Sequence, residues 1–387
     1  MIRYLSIKFV LSLFLSLTIC LPLQAAPTLL PAPPTIPARG YFLTDFNSGH
    51  VIAEKAADER LEPASITKMM VTYIAYHELR NGNLKLEDLV TVSEKAWKAE
   101  GSRMFIEVNT KVPVAELLRG IIIQSGNDAT IALAEHLAGS EQAFASIMNQ
   151  YAATLGMTGS HFVNSTGLPD PEHYTTARDL ATLSRALIRD FPEHYSWYKE
   201  KVFSYNNIKQ YNRNRLLWRD NSVDGIKTGH TESAGYCLVA SARRDDMRLI
   251  SIVLGTGSEK AREQASLTLL NYGFRFYETG KLFDAGQPLV NARLWKGAND
   301  TVVLGLPSDL YLTVPRGQFS KLKTGMRHAA HPVAPLQQGQ VLGKLDILFQ
   351  DKVIASRDLV ALSAAPAGSF WSRLLDTIQL FFIRLFE

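Results

Sequence analysis

The chain reads as an α+β protein, on three observations. An apolar hairpin pattern near residue 40 gives way to a long run of helical periodicities, and strand patterns return only from about Val223, so strands and helices are segregated instead of alternating as βαβ units. From about residue 283 the runs become short, alternating and broken by Gly and Pro, which predicts a separate small all-β domain. The last residues, from Phe370, carry a helical period with one apolar face.

Residues 1–25 begin with Arg3 and Lys8, continue through the apolar run Phe9 to Leu23 and end at the small residues Ala25 and Ala26. This is the layout of a secretory signal peptide, with an uncleaved membrane anchor as the alternative. Cleavage near Ala25 removes Cys20 and leaves Cys237 without a partner, so no internal disulfide can form. Residues 26–38, rich in proline, predict an extended linker.

The first folded domain is expected over 39–282. It opens with a hairpin from Arg39 to Ala56 around Asn47, Ser48 and Gly49. A helix follows from Ser65, with Met69, Met70, Tyr73 and Ile74 as its apolar positions and Asn81-Gly82 as its stop. Further helices are predicted over Val114 to Gln124, Asp128 to Ala138, Ser140 to Leu155 and Thr176 to Arg189. Strands at Tyr236 to Ser241 and Arg248 to Leu254 and a last helix from Glu259 to Asn271 complete a sheet packed against a helical cluster. The all-β domain is expected over 283–363 and a flexible spacer over Ala364 to Gly368, within the tail 364–387.

Bulk properties exclude two classes of function. With 46% hydrophobic and 20% charged residues the chain is an ordinary globular one, not a disordered one. A formal charge of +4, part of it in the N-terminal segment, gives no case for nucleic acid.

Three short clusters carry the chemistry: Ser65-Ile66-Thr67-Lys68, Ser125-Gly126-Asn127 and Lys227-Thr228-Gly229-His230. A serine hydroxyl is a poor nucleophile at neutral pH and needs a base, a proton path to the leaving group and donors for the oxyanion. These clusters hold groups for all three. Singly, each has a plain alternative: Ser65 as a helix cap, Ser125 to Asn127 as an interhelical turn, Lys227 as a solvated turn residue. Ser196-x-x-Lys199 and Ser320-x-x-Lys323 repeat the first spacing, and Lys323-Thr324-Gly325 repeats the third. Only Ser65 follows a proline-containing turn and opens a strongly apolar helix, where serine and lysine three apart share a face. The co-occurrence of the three clusters favours a serine acyl-transfer site.

With Gln124 to Ala129, Asp224 to Thr231 and Gly273-Phe274-Arg275-Phe276-Tyr277 agreeing as flanking text, the sequence resembles the low-molecular-mass penicillin-binding proteins of the 5 and 6 type. These are D-alanyl-D-alanine carboxypeptidases with a β-lactamase-like, transpeptidase-like domain. The resemblance implies Ser65 as the acylated nucleophile, Lys68 as its base and Ser125 as proton relay to the leaving D-alanine. It implies Asn127 on the substrate amide, and Thr228 and Arg262 on the terminal carboxylate. It places the oxyanion at the N–H groups of Ser65 and His230, and Lys227 and Gly229 in the substrate-binding strand. Lys227, a second cation, together with burial, is expected to lower the Lys68 pKa. The partners implied are a peptidoglycan pentapeptide and β-lactam antibiotics as covalent inhibitors. No cofactor and no metal are expected: His77-Glu78 lacks a second histidine at zinc-motif spacing, and His328 and His331 read as surface residues. One departure is Thr166, where some relatives are expected to have histidine.

Two rival functions share these features. A β-lactamase would need a dedicated deacylating glutamate, and no Glu-x-x-Leu-Asn segment of the kind class A enzymes use stands between Ser125 and Lys227. A catalytically silent wall-binding protein would not need the full set of polar residues.

Within Phe370 to Phe386, the residues Phe370, Trp371, Leu374, Leu375, Ile378, Phe381, Phe382, Leu385 and Phe386 share one face, with Leu380 and Ile383 as exceptions. A helix of this length, about 27 Å, nearly spans a bilayer, but Arg373, Asp376 and Arg384 make crossing costly. Residues 369–387 are therefore expected to lie flat on a membrane surface, the alternative being a helix packed on the β domain. Export and this anchor together, with the resemblance, imply a peripheral protein on the outer, periplasmic face of the cytoplasmic membrane.

Overall fold

A five-stranded antiparallel sheet organises the first domain, in the order Val51–Lys55, Gly40–Asp45, Met247–Thr256, Gly235–Arg244, Val223–Thr231. The computed structural model describes residues 30–386; the expected signal peptide, the first residues of the linker and Glu387 lie outside the described residues. Residues 30–32 carry no regular secondary structure, and Pro33–Glu387 forms one compact unit.

Alternation along the central strand explains the layering. Ile250, Ile252 and Leu254 face the helical cluster, while Leu249 and Val253 face the Glu259–Phe276 helix. The sheet is thus covered on both faces, three layers where sheet on helical cluster was expected. Ile36 and Ala38, at the end of the expected linker, are buried in the second of these cores.

The Lys68–Asn81 helix runs through the helical layer with nine consecutive residues, Lys68 to Tyr76, buried. A helix buried on all sides needs no polar face, which is why its apolar spacing looks irregular in the sequence. Gly82, at φ 76°, closes it in the left-handed conformation. The helices Asn127–Ala138, Glu141–Thr154 and Ala177–Asp190 lie within a residue or two of expectation, the latter two opened by Ser140 and Thr176 side chains that cap Ala143 N–H and Asp179 N–H. The last helix runs to Phe276, five residues beyond the predicted end.

The β-rich part begins at Tyr277, not 283, because Tyr277–Phe283 pairs with Leu310–Pro315. A second five-stranded sheet follows, ordered Val290–Arg293, Thr301–Gly305, Lys352–Ala361, Val341–Phe349, Lys323–His328, around Leu304, Leu345, Ile347 and Leu359. The buried Asp45 carboxylate joins this part to the first hairpin. It accepts from Ser48 Oγ at 2.8 Å and from Thr279 Oγ1 at 2.9 Å, and Thr313 Oγ1 lies 2.6 Å from Ser48 Oγ.

The segment expected as a flexible spacer is pinned: Ala365 bridges Leu336, Ala367 bridges Gly297, and Gly368 N–H donates to Lys296 O at 2.8 Å. The Phe370–Phe386 helix lies against the β domain by its polar side. Asp376 accepts from Lys296 N–H, Gln379 accepts from Arg293, and Leu380, one of the two exceptions to the apolar face, is buried at 5% exposure. The apolar face is left open, with Phe370, Trp371, Leu375, Phe381, Leu385 and Phe386 each 60% or more exposed. Among the described residues no helix is long and apolar enough to cross a membrane.

Candidate active site

Pro63 leads into a 3₁₀ turn, Ala64–Thr67, that continues directly as the Lys68–Asn81 helix. Ala64 takes φ 48°, a left-handed conformation that costs a non-glycine residue about 1–2 kcal/mol. Two glycines let neighbouring segments close on this turn: a Cβ at Gly167, itself at φ +81°, would collide with the Ala64 carbonyl, and one at Gly229 would stand 2.7 Å from Pro63 O. Held in this way, Ser65 Oγ lies 2.8 Å from Lys68 Nζ.

Lys68 is completely buried and also donates to the Thr166 carbonyl at 2.6 Å. Burial, then the Arg213 cation, pull its pKa down to about 7 against the pull of Asp128 and Glu141. Arg213 is a neighbouring cation that the sequence reading did not anticipate, and Lys227 is itself held well below the ordinary lysine range, by burial first and then by Lys68, Arg213 and Arg262. Thr166 contributes its backbone oxygen, which any residue could supply.

Ser125 follows a π-helical turn, Gly120–Gln124, and sits at φ 66°. That turn aims its hydroxyl at Lys227 Nζ, 2.8 Å away across the edge strand Val223–Thr231. Asn127 opens the next helix. Its Nδ2 donates to Glu100 O at 2.6 Å, and its buried Oδ1 has no hydrogen-bond partner among the described residues. An unpaired buried acceptor is costly, so this atom is poised for a donor supplied by a ligand.

Ser65, Ser125, Thr228, Gly229, His230 and Arg262 line one cleft, together with Ser102, Arg213, Tyr236 and Glu259. Arg262 donates to Gly229 O at 3.2 Å and pairs with Glu259 at 3.0 Å, while its buried Nε has no partner among the described residues. His230 is exposed and its ring packs tilted against Tyr236, 3.9 Å between centroids. Every sequence-predicted site residue therefore belongs to one constellation. The repeated motifs do not: Ser196 Oγ is spent on Glu193 O at 2.9 Å, and Lys323 pairs with Asp351 on an exposed strand of the second domain.

Sequence reading missed the residues that hold the site. Arg213 lies in the polar run Asn212 to Arg215, with its Nε on Gln124 O at 3.1 Å. Asp128 accepts from the N–H groups of Met104, Phe105 and Ile106, fixing the strand of chain beside Ser102. Glu141 grips Ser165 N–H and Oγ and so sets the 164–168 loop on which Lys68 rests. His173 accepts from Val163 N–H at Nδ1, so its Nε2–H donates to Thr67 Oγ1 at 2.8 Å. Burial drives its pKa down to about 4 and keeps it neutral beside Lys68.

Residues 28–258 match the family profile described as D-alanyl-D-alanine carboxypeptidase, and residues 277–367 match the profile of the C-terminal domain of penicillin-binding protein 5. The chain is 46% identical over 364 residues to D-alanyl-D-alanine carboxypeptidase DacA of Escherichia coli K12, covering 92% of this chain and 90% of that one. Its structure matches that of penicillin binding protein 5 from Haemophilus influenzae with a TM-score of 0.84 and 43% identity, covering 87% of this chain and 99% of the other. It is also similar, with a TM-score of 0.58 and 28% identity, to penicillin-binding protein D2 from Listeria monocytogenes in an ampicillin-bound form, over 62% of this chain and 100% of that one.

Proposed function

The chain belongs to the D-alanyl-D-alanine carboxypeptidase family of penicillin-binding proteins, and on that premise we propose how its own residues perform the reaction. The protein is a serine-type D-alanyl-D-alanine carboxypeptidase that acts on peptidoglycan. It removes the terminal D-alanine of the pentapeptide stem. Ser65 Oγ attacks the carbonyl carbon between the two D-alanines while neutral Lys68 Nζ takes its proton, and the resulting oxyanion rests on the N–H groups of Ser65 and His230. The C–N bond breaks as Ser125, bonded to Lys227, relays a proton to the leaving nitrogen. Water then hydrolyses the ester on Ser65. Asn127 Oδ1 receives the substrate amide N–H, and Thr228 with Arg262 receives the terminal carboxylate.

β-Lactams follow the same first steps, but the amine released from the ring stays tethered to the adduct and hinders water. The observation that carries the reading is the pair Ser65 Oγ and Lys68 Nζ at 2.8 Å, with the lysine pKa brought to about 7. Mass spectrometry of the benzylpenicillin adduct tests it. The acyl group is expected on Ser65 and absent from Ser65→Ala; an adduct that persists in Ser65→Ala and moves to Ser196 or Ser320 overturns the assignment.

The open apolar face of the Phe370–Phe386 helix supports a peripheral anchor, residues 369–387, lying in the bilayer surface on the periplasmic side. Removing those residues is expected to release an active enzyme from membranes, and attachment that survives their removal refutes the anchor.

A further inference from the structure

Between the anchor helix and the β domain runs a groove of about 360 Å³, lined by Lys296, Val333, Thr377, Leu380, Phe381 and Leu385. Its composition is graded. Thr377, Leu380, Phe381 and Leu385 lie on one side of the helix at spacings of three, four and eight, so the helix presents a hydroxyl first and then three apolar side chains. Lys296 supplies the cation. Its backbone N–H is taken by the Asp376 carboxylate and its carbonyl by Gly368, while its ammonium lines the groove and forms no ion pair among the described residues. Arg373, one turn before Thr377 on the same stripe and linked to it through Thr377 Oγ1 to Arg373 O at 2.6 Å, also forms no ion pair among the described residues. A groove with a lysine at one end and apolar side chains along the rest, flanked by a second cation, matches an amphiphile with an anionic head.

We propose that this groove seats one anionic phospholipid of the bilayer, its phosphate on Lys296, with Arg373 one turn further along the helix, and its acyl chain along Leu380, Phe381 and Leu385. The proposal rests on the reading of residues 369–387 as a membrane anchor, and it adds a lipid-selective contact to the non-selective burial of the open apolar face. The open face and the groove share Phe381 and Leu385, so a lipid can enter sideways from the bilayer in which that face is buried. A cation near an anionic bilayer surface contributes about 1 kcal/mol, which is about a fivefold gain in affinity.

The test uses the full-length protein, with vesicle co-sedimentation on neutral phosphatidylcholine and on phosphatidylcholine containing phosphatidylglycerol, at constant ionic strength. Wild type is expected to bind the anionic vesicles at least tenfold more tightly. Lys296→Gln is expected to lose about fivefold on anionic vesicles and nothing on neutral ones. Thr377→Trp, which fills the groove without changing charge, is expected to abolish most of the anionic advantage; a Thr377→Trp protein that keeps it shows diffuse surface electrostatics and overturns the groove. Inorganic phosphate replacing chloride is expected not to displace the protein, and displacement by phosphate means a free-anion site and equally overturns the lipid assignment. Equal binding to both vesicle types leaves the anchor standing and refutes the groove, whereas failure to bind either type refutes the anchor and the groove with it. Unchanged D-alanine release by both variants verifies that they are folded.

Discussion

Raising the pH from 6 to 8 should accelerate acylation of Ser65 about tenfold. The number comes from Lys68, whose pKa near 7 leaves about one tenth of the groups neutral at pH 6 and about nine tenths at pH 8. Two contributions produce that value, burial of the ammonium and then the Arg213 cation. Arg213→Gln removes the second, so the midpoint of the profile moves upward while the plateau at high pH is approached later. The assay is the second-order rate of benzylpenicillin acylation, followed by stopped-flow and quenched mass spectrometry, because at low penicillin it reports groups on the free enzyme. His173, neutral above about pH 4, contributes no inflection in this window. A flat profile between pH 6 and 8, or an Arg213→Gln midpoint no higher than that of wild type, would refute the assignment of Lys68 as a base tuned by burial and a neighbouring cation.

Lys68→Met should abolish acylation yet stabilise the fold. The folded pKa of about 7 lies below the ordinary 10.5, so the unfolded chain binds the extra proton between these values, stability rises with pH across that window, and the burden of the buried charge is complete below about pH 7. That burden is about 5 kcal/mol and the lost bond to Thr166 returns about 2, giving a net gain of about 3 kcal/mol at pH 6 that fades toward pH 10; denaturant titrations that show no gain at pH 6 contradict it. Gly167→Ala places a methyl group on the Ala64 carbonyl at a left-handed residue, and should lower stability by at least about 1–3 kcal/mol and slow acylation together, checked by thermal melts and penicillin labelling. Arg262→Gln should lower kcat/KM for a D-alanyl-D-alanine peptide by about 10- to 100-fold, a charged hydrogen bond to the substrate carboxylate being lost, and a value within twofold of wild type removes Arg262 from the site.

The three motifs were legible because each joins a chemical demand to a local backbone demand. Ser65 and Lys68 stand three apart on a tightening turn, and Ser125 needs a sharp reversal that Gly126 and the preceding π turn permit. What joins them could not be read in one dimension. Asp128, Glu141, Arg213 and His173 look like ordinary helix-start, loop and surface polar residues, and their roles arise only from contacts between distant segments, such as Glu141 on Ser165 and His173 on Thr67. The boundaries that slipped, at Phe276 and at Ala364 to Gly368, did so because pairing with a remote strand or bridge partner, not local propensity, decides where an extended segment is held. Leu380 broke the apolar stripe of the last helix for the same reason: it serves a second neighbour, the β domain.

The junction around Asp45 has a mechanical meaning. A buried carboxylate that accepts from Thr279, with Thr313 bracing Ser48, leaves little play between the parts it fastens, since opening it would cost a charged hydrogen bond and the hydroxyl contact beside it. The β domain then works as a bracket and not as a leash: the mouth of the cleft stays at one height and one tilt above whatever the last helix rests on. Any change in where the cleft points must then come from movement of the whole molecule and not from flexing between its parts.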